Sequence, residues 1–252
     1  MSTYDRIAPF YDVDMGRNMP FDDVGFYAGL AVAARGPVLE LGCGTGRILL
    51  ELLRRGADAT GVDASPAMLA ELERKAGALG LVPRVQQGDI RALALGRRFA
   101  LVLCPYSLVT YCLDDDDLRR ALAGVRAHLA PEGRFVVDAF VPRPPSPDDA
   151  DFRLDYRRPF GDAILARWRR LRAVDARTNR IERRYEITEV DGSVRERIDV
   201  AELVRPFEPA ALRAAVAGAG FVASREWWDY GARADGDGAR FFTLEARLPE
   251  PS

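Results

Sequence analysis

The chain predicts an α/β fold, a mostly parallel β-sheet with helices on both faces and a late antiparallel β insertion. Three observations carry this. Short apolar runs alternate with stretches of helical periodicity from residue 37 to residue 141, the pattern of parallel strands joined by crossover helices. Four prolines (Pro142, Pro144, Pro145 and Pro147) then mark a linker, and strand-like runs follow one another without helices. One helix and two strand-like runs close the chain.

Taken in order, residues 21–34 read as a helix after an aromatic start. The run Val38-Leu39-Glu40-Leu41 is a strand that stops at Gly42-Cys43-Gly44-Thr45-Gly46. Ile48, Leu49, Leu52 and Leu53 give residues 47–55 helical spacing, and Gly56 suits their C-cap. Residues 57–62 form a strand ending at Asp63. Ser65 as N-cap and Pro66 in the first turn open a helix to about residue 78. Strands follow at 84–87 and 99–103, a helix at 114–129, a turn at Pro131-Glu132-Gly133 and a strand at 134–140. The antiparallel candidates are 152–157, 163–174, 180–190 and 194–204, with turns at 175–179 and Asp191-Gly192. A helix over 210–217 precedes strands at 221–230 and 241–248. The predicted organisation is an N-terminal lid (1–34), a cofactor core (35–141), the β insertion (142–207) and a C-terminal completion of the core (208–252).

Composition excludes several classes of function. The 252 residues carry 36 Lys+Arg against 38 Asp+Glu, which gives no electrostatic footprint for nucleic acid. No apolar run reaches the ~20 residues of a membrane helix. The start has no basic-then-apolar pattern, and Cys43, Cys104 and Cys112 have no metal-ligand spacing, so reduced thiols and a cytoplasmic location are expected. His128 is the only histidine, which argues against zinc. Consecutive Asp114–Asp117 sit at a helix start, where their charge complements the dipole; they point apart, so no metal is expected.

The glycine cluster brings bare backbone and free helix N–H groups to a ligand. Glu40, Asp63 and Asp89 stand at or near three successive strand ends and so line one crevice. Asp63 can take two ribose hydroxyls, Asp89 an adenine amino group, and Glu40 a cationic group. This suits a cationic nucleoside without phosphates. A nicotinamide-dependent oxidoreductase would need Gly-x-Gly-x-x-Gly, whereas Arg47 follows Gly46 here and Asp89 would have no role.

At this point the sequence resembles the class I S-adenosylmethionine-dependent methyltransferases. Val38-Leu39-Glu40-Leu41-Gly42-Cys43-Gly44-Thr45-Gly46 is similar to their first motif and Gly61-Val62-Asp63-Ala64-Ser65-Pro66-Ala67-Met68-Leu69 to their second. Gln87-Gly88-Asp89-Ile90 resembles the third, and Leu129-Ala130-Pro131-Glu132-Gly133-Arg134 the turn before the fifth strand. The resemblance implies a Rossmann-like seven-stranded sheet with an antiparallel last strand. It implies S-adenosyl-L-methionine as cofactor, with Gly42, Cys43, Gly44 and Gly46 at the methionine part and Asp63 and Ala64 at the ribose. Met68, Asp89, Ile90 and Cys104 complete that set around the adenosine. A non-catalytic binder of the same molecule is the alternative from another class.

The start, Tyr4-Asp5-Arg6-Ile7-Ala8-Pro9-Phe10-Tyr11-Asp12, is similar to the lid of small-molecule methyltransferases, including glycine and aminosugar N-methyltransferases. There a tyrosine packs near the sulfonium; Tyr11 comes first and Tyr4 second, with cation–π attraction as the physical reason. Tyr11 and Tyr106 are the catalytic candidates, and Tyr4, Tyr106, Ser107 and Tyr111 the acceptor-binding ones. The expected reaction is N-methylation of a small amine or aminosugar, with O- or C-methylation of a specialised metabolite as the alternative, aided by Tyr106, Tyr111 or Glu186. The only expected partners are the small acceptor and, through the β insertion, further copies of the chain. Eleven arginines against five acidic residues in 151–184 read as solvated outer strand faces before an anion-attracting patch.

Overall fold

Strand β1 (Val38–Leu41) is buried at every position, which places it in the middle of a sheet covered on both sides. It pairs in parallel with β2 (Ala59–Asp63) on one side and β4 (Phe99–Cys104) on the other. The polar, exposed β3 (Arg84–Gln87) extends the β2 side as the edge, and β5 (Leu129–Phe140) the β4 side. The computed structural model describes residues 3–143 and 147–250, with the backbone alone at positions 17, 18 and 147. The predicted linker therefore lies partly outside the described residues; its far end is a single 3-10 turn, Pro147–Ala150.

Four antiparallel strands form a second sheet, β6 (Arg153–Phe160), β7 (Ala163–Ala173), β8 (Asn179–Thr188) and β9 (Val194–Val204). The chain then returns to the first sheet through β10 (Val222–Trp228) and β11 (Phe241–Arg247). The first sheet has seven strands in the order β10-β11-β5-β4-β1-β2-β3, and β11 runs antiparallel to both its neighbours. The seven-stranded, mostly parallel sheet and the separate antiparallel one match the expected fold class. Chain order reverses at β1, so a crevice opens past the carboxyl ends of β1 and β4.

Alternation along the strands sends side chains to two cores. Leu39, Leu41, Val102 and Phe135 pack with α6 (Asp115–His128) and α7 (Pro209–Gly218). Val38, Leu101, Leu103 and Val136 pack with α3 (Asp23–Ala34), α4 (Leu49–Arg54) and α5 (Pro66–Ala78). Caps fix where these helices begin. Ser65 Oγ accepts from Met68 N at 3.2 Å, and Asp114 Oδ1 from Asp117 N at 2.8 Å. On α6, Leu118, Ala121, Leu122 and Val125 are buried, the spacing of one helix face.

A third core seats the N-terminal segment, α1 (Thr3–Ile7) and α2 (Tyr11–Asn18), against the second sheet. Ile7, Ala8 and Phe10 pack with Tyr156, Leu165, Tyr185, Ile187 and Val200, and with Met68 of α5. Buried Asp14 receives Arg167 of β7 and the hydroxyl of Tyr156 at 2.7 Å. On the opposite face of the sheet, Arg170 pairs with Glu182 and Arg184 with Asp199, with Phe152 between the two guanidinium groups.

Two local expectations change. The helix expected from Arg47 starts at Leu49, because residues 46–48 still turn away from the glycine loop. The turn expected at Pro131–Gly133 lies inside β5, where pairing with β4 jumps from Phe99↔Leu129 to Leu101↔Arg134. A side chain at Gly133 would meet Leu129 Cγ at 2.8 Å, so the irregular stretch needs glycine there. Among the described residues no helix is long and apolar enough to cross a membrane.

Candidate active site

The glycine loop folds back over the end of β2: Gly42 N and Cys43 N both donate to Val62 O, at 2.7 and 3.1 Å. Gly42, Gly44 and Gly46 all have positive φ. A Cβ at Gly46 would lie 2.7 Å from Leu72 Cγ, so that glycine is required by helix packing beneath the loop. At Gly44 the nearest atoms stand 4.0 Å away, Tyr11 Cε1 among them, so bare backbone faces open space.

Asp63 ties this loop to the next helix. Its Oδ2 accepts from Gly44 N and its Oδ1 from Ser65 N, both at 2.8 Å. Burial pushes its pKa up, and these backbone bonds pull it back down. Each carboxylate oxygen keeps a further lone pair for a ligand hydroxyl. Asp89 accepts from Arg91 N and Nε, each at 2.8 Å, and Arg91 reaches on to Asp117 at 2.9 Å. The Arg91 guanidinium holds the Asp89 carboxyl below its usual range.

These groups wall a cavity of about 260 Å³. Gly42, Gly44, Asp63, Ala64, Met68, Asp89 and Ile90 line it together with Tyr4, Tyr11, Tyr106, Leu108 and Tyr111. Eleven of the residues expected at the site from sequence thus come to one cavity wall. The remaining six lie off it. Glu40 is buried under the loop, and among the described residues its Oε2 has no partner. Burial raises its pKa, while Arg47 opposes the rise. Cys43 fills the space over Gly61, and Gly46 and Cys104 are likewise beneath the wall. Ser107 is 1% exposed and its hydroxyl accepts from Phe140 N at 2.6 Å. Glu186 points to the outer face of the second sheet, paired with Arg197.

Sequence reasoning missed the residue that shapes the turn carrying Tyr106 at this wall. Tyr106 and Ser107 both have left-handed backbone, φ 55° and 57°. Their N–H groups donate to Asp138 of β5, at 2.9 and 2.6 Å. Asp138 also accepts from the hydroxyls of Tyr27 at 2.5 Å and Tyr230 at 2.8 Å. Four donors and no acceptor surround it, which suits a carboxylate; burial raises its pKa and the four bonds lower it. The signal was a lone acid inside the apolar run Phe135-Val136-Val137-Asp138-Ala139-Phe140. Arg91, Cys112 and Leu108 at the wall carried no comparable signal.

The acidic run does not converge. Asp114 caps α6, Asp115 pairs with Arg177 and Arg205, Asp116 with Arg119, and Asp117 with Arg91 and Arg120. His128 accepts from Leu95 N and bonds Gly124 O, far from the cavity wall.

Residues 38–133 match the family model described as a methyltransferase domain. A curated relative from Streptomyces venezuelae, dTDP-3-amino-3,4,6-trideoxy-alpha-D-glucopyranose N,N-dimethyltransferase, is 33% identical over 101 residues, 40% of this chain and 41% of its own length. The aligned part spans about half the length of the curated relatives first matched. Solved structures match almost throughout. The CcbJ methyltransferase from Streptomyces caelestis superposes with a TM-score of 0.76 at 27% identity, covering 98% of both chains. The sugar N-methyltransferase KedS8 from Streptoalloteichus sp. does so with 0.73 at 27% identity, covering 95% of this chain and 93% of its own. Residues 38–133 thus match a methyltransferase domain, and the likeness to solved methyltransferases at 27% identity runs through nearly the whole chain.

Proposed function

We propose that the protein methylates the nitrogen of a small amine, an aminosugar foremost. The observation that carries this reading is one cavity lined by the carboxylates at the sheet's switch point and by four phenols; we read the carboxylate side as the nucleoside end and the phenol side as the acceptor end. The residues fit S-adenosylmethionine. Asp63 stands where a ribose diol would be gripped, Asp89 where an adenine amino group would donate, and Gly44 offers open backbone to the amino-acid part. That molecule, when bound, supplies an electrophilic methyl group on a sulfonium.

The chain's own groups exclude water and orient. Tyr11 and Tyr106 both line the cavity, and burial holds both phenols above their ordinary pKa, Tyr106 at about 12. They stay protonated and neutral. A neutral, dry wall favours a step in which a positive charge leaves the sulfur, and positioning supplies most of the rate. The aminosugar preference draws on the relatives: the Streptomyces venezuelae enzyme and KedS8 are both named as sugar N-methyltransferases.

The test is a panel of acceptors with methyl-labelled cofactor: thymidine-diphosphate aminosugars, free aminosugars, glycine and phenols. Label on an amine nitrogen with release of S-adenosylhomocysteine is expected. Label on phenols alone overturns the N-methylation reading, and cofactor binding without any transfer points to a non-catalytic binder.

A further inference from the structure

Three groups behind the acceptor end form a connected chain. The hydroxyls of Tyr4 of α1 and Tyr111 lie 2.5 Å apart, and both residues line the cavity. Tyr111 Oη lies 3.4 Å from Glu202 Oε2 of β9. Glu202 also holds Arg183 of β8 at 2.5 Å through that same oxygen. Its side chain is only 6% exposed, yet among the described residues its other oxygen, Oε1, has no hydrogen-bond partner. A buried carboxylate oxygen without a donor is costly, of order 1–3 kcal/mol.

Donor bookkeeping fixes the direction of the chain. A carboxylate donates nothing, so Tyr111 donates to Glu202. Tyr4 therefore donates to Tyr111, and the Tyr4 oxygen is left with lone pairs for a donor in the cavity. Burial, with Glu202, holds both phenols above their ordinary pKa, and Tyr111 adds to the rise at Tyr4, so each keeps its proton between events. The charged and titratable groups that face Glu202 are Arg183 from β8, Tyr111 from the turn after β4, and Tyr4 from α1.

We propose that Tyr4, Tyr111 and Glu202 are a relay that receives an N–H of the acceptor and takes up the proton its nitrogen gives up on methylation, so that the acceptor is an amine presented nitrogen first. This rests on the N-methylation reading above. In the step the N–CH3 bond forms as the S–CH3 bond breaks, with its electron pair left on sulfur. The nitrogen then carries one proton in excess. That proton passes to Tyr4 Oη while Tyr4 passes its own to Tyr111 and Tyr111 its own to Glu202. The amine ends neutral and Glu202 ends as a carboxylic acid, so charge and atoms balance.

The test uses the full chain, the amine panel above and two variants. Glu202→Gln removes the proton acceptor and keeps the side-chain shape. Tyr111→Phe removes one hydroxyl and leaves the Glu202–Arg183 pair intact, which guards against a folding defect. Expected for both is a loss in kcat of about 10²-fold at neutral pH. The loss should shrink as pH rises and solvent can take the proton, whereas wild type stays level. Calorimetric affinity for S-adenosylhomocysteine should stay within about twofold. A Glu202→Gln protein with the wild-type kcat and pH profile overturns the relay. So does a wild type that binds S-adenosylhomocysteine but methylates only phenols. A wild type that does not bind S-adenosylhomocysteine overturns the cofactor reading itself, a distinct failure.

Discussion

Replacing Asp138 with Asn should cripple the acceptor end while sparing the cofactor end. The carboxylate satisfies two buried tyrosine hydroxyls and the N–H groups of Tyr106 and Ser107. Three of the four donors converge on Oδ2 and one, Ser107 N, on Oδ1. An amide can keep its oxygen at the Oδ2 position, but its NH2 then faces the N–H of Ser107. That unsatisfied pair costs ~1–3 kcal/mol, and the three surviving bonds each lose ~1 kcal/mol of charge assistance. Some of this returns if the turn relaxes, because each left-handed residue there holds ~1–2 kcal/mol of strain. The net loss is about 3–5 kcal/mol, a large share of the ~5–15 kcal/mol that keeps a domain folded. At ~2–4 °C per kcal/mol for a chain of this size, the melting temperature should fall by roughly 10–15 °C in scanning calorimetry. S-adenosylhomocysteine affinity of the folded fraction should change by less than about threefold, since Asp63 and not Asp138 holds the glycine loop. A melting temperature within about 2 °C of wild type would refute the reasoning.

Asp63→Ala breaks the links to Gly44 and Ser65 and should weaken cofactor binding by about 10²-fold or more; calorimetry giving an unchanged affinity contradicts the assignment. Gly46→Ala, with Leu72 Cγ 2.7 Å from the new Cβ, should cost ~2–4 kcal/mol. Gly44→Ala meets open space and should cost only ~1 kcal/mol from its φ; melts that rank the two the other way refute the packing argument. Arg91 lowers the pKa of Asp89, so the ion pair's contribution is in place above the unfolded value of ~3.9 and is lost as pH falls through the lower folded value. Cofactor affinity should accordingly hold level through mild acid. In Arg91→Met its decline should begin at higher pH, which a pH series of titrations would show.

The nucleoside end was legible because each of its parts is local. A strand, its terminal carboxylate and the next helix's cap occupy a dozen consecutive residues, as in Ala59–Asp63 followed by Ser65 and Pro66. The acceptor end was not legible beyond its tyrosines. Tyr4, Tyr111 and Glu202 are separated by 107 and 91 positions, and no spacing rule spans such gaps. Glu202 in particular sits in a strand whose alternating pattern gives its neighbours to solvent, so it reads as one more polar position. Glu186 looked the better candidate and is turned outward because it follows the buried Tyr185 by one residue. Ser107 was placed at the right turn, but its left-handed backbone sends the hydroxyl to Phe140 instead of the cavity.

That division has a consequence for how such a site can change. The nucleoside end is bound into the first sheet: Asp63 supports the glycine loop, and Gly46 admits Leu50 and Leu72 beneath it. Substitutions there lose stability and cofactor together. The acceptor end is assembled from α1, the turn after β4 and the inner face of the second sheet, where an apolar seat under Ile7 is topped by hydroxyls and one ion pair. Removing a hydroxyl such as that of Tyr4 leaves the ring packing in place and forfeits about one hydrogen bond, ~0.5–1.5 kcal/mol. On the proposed reading, acceptor choice is therefore carried by groups whose exchange the fold tolerates, and the methyl donor is held by groups whose exchange it does not. In a chain with this layout the cofactor is the property that local sequence reveals, and the acceptor is the property that only the three-dimensional arrangement does.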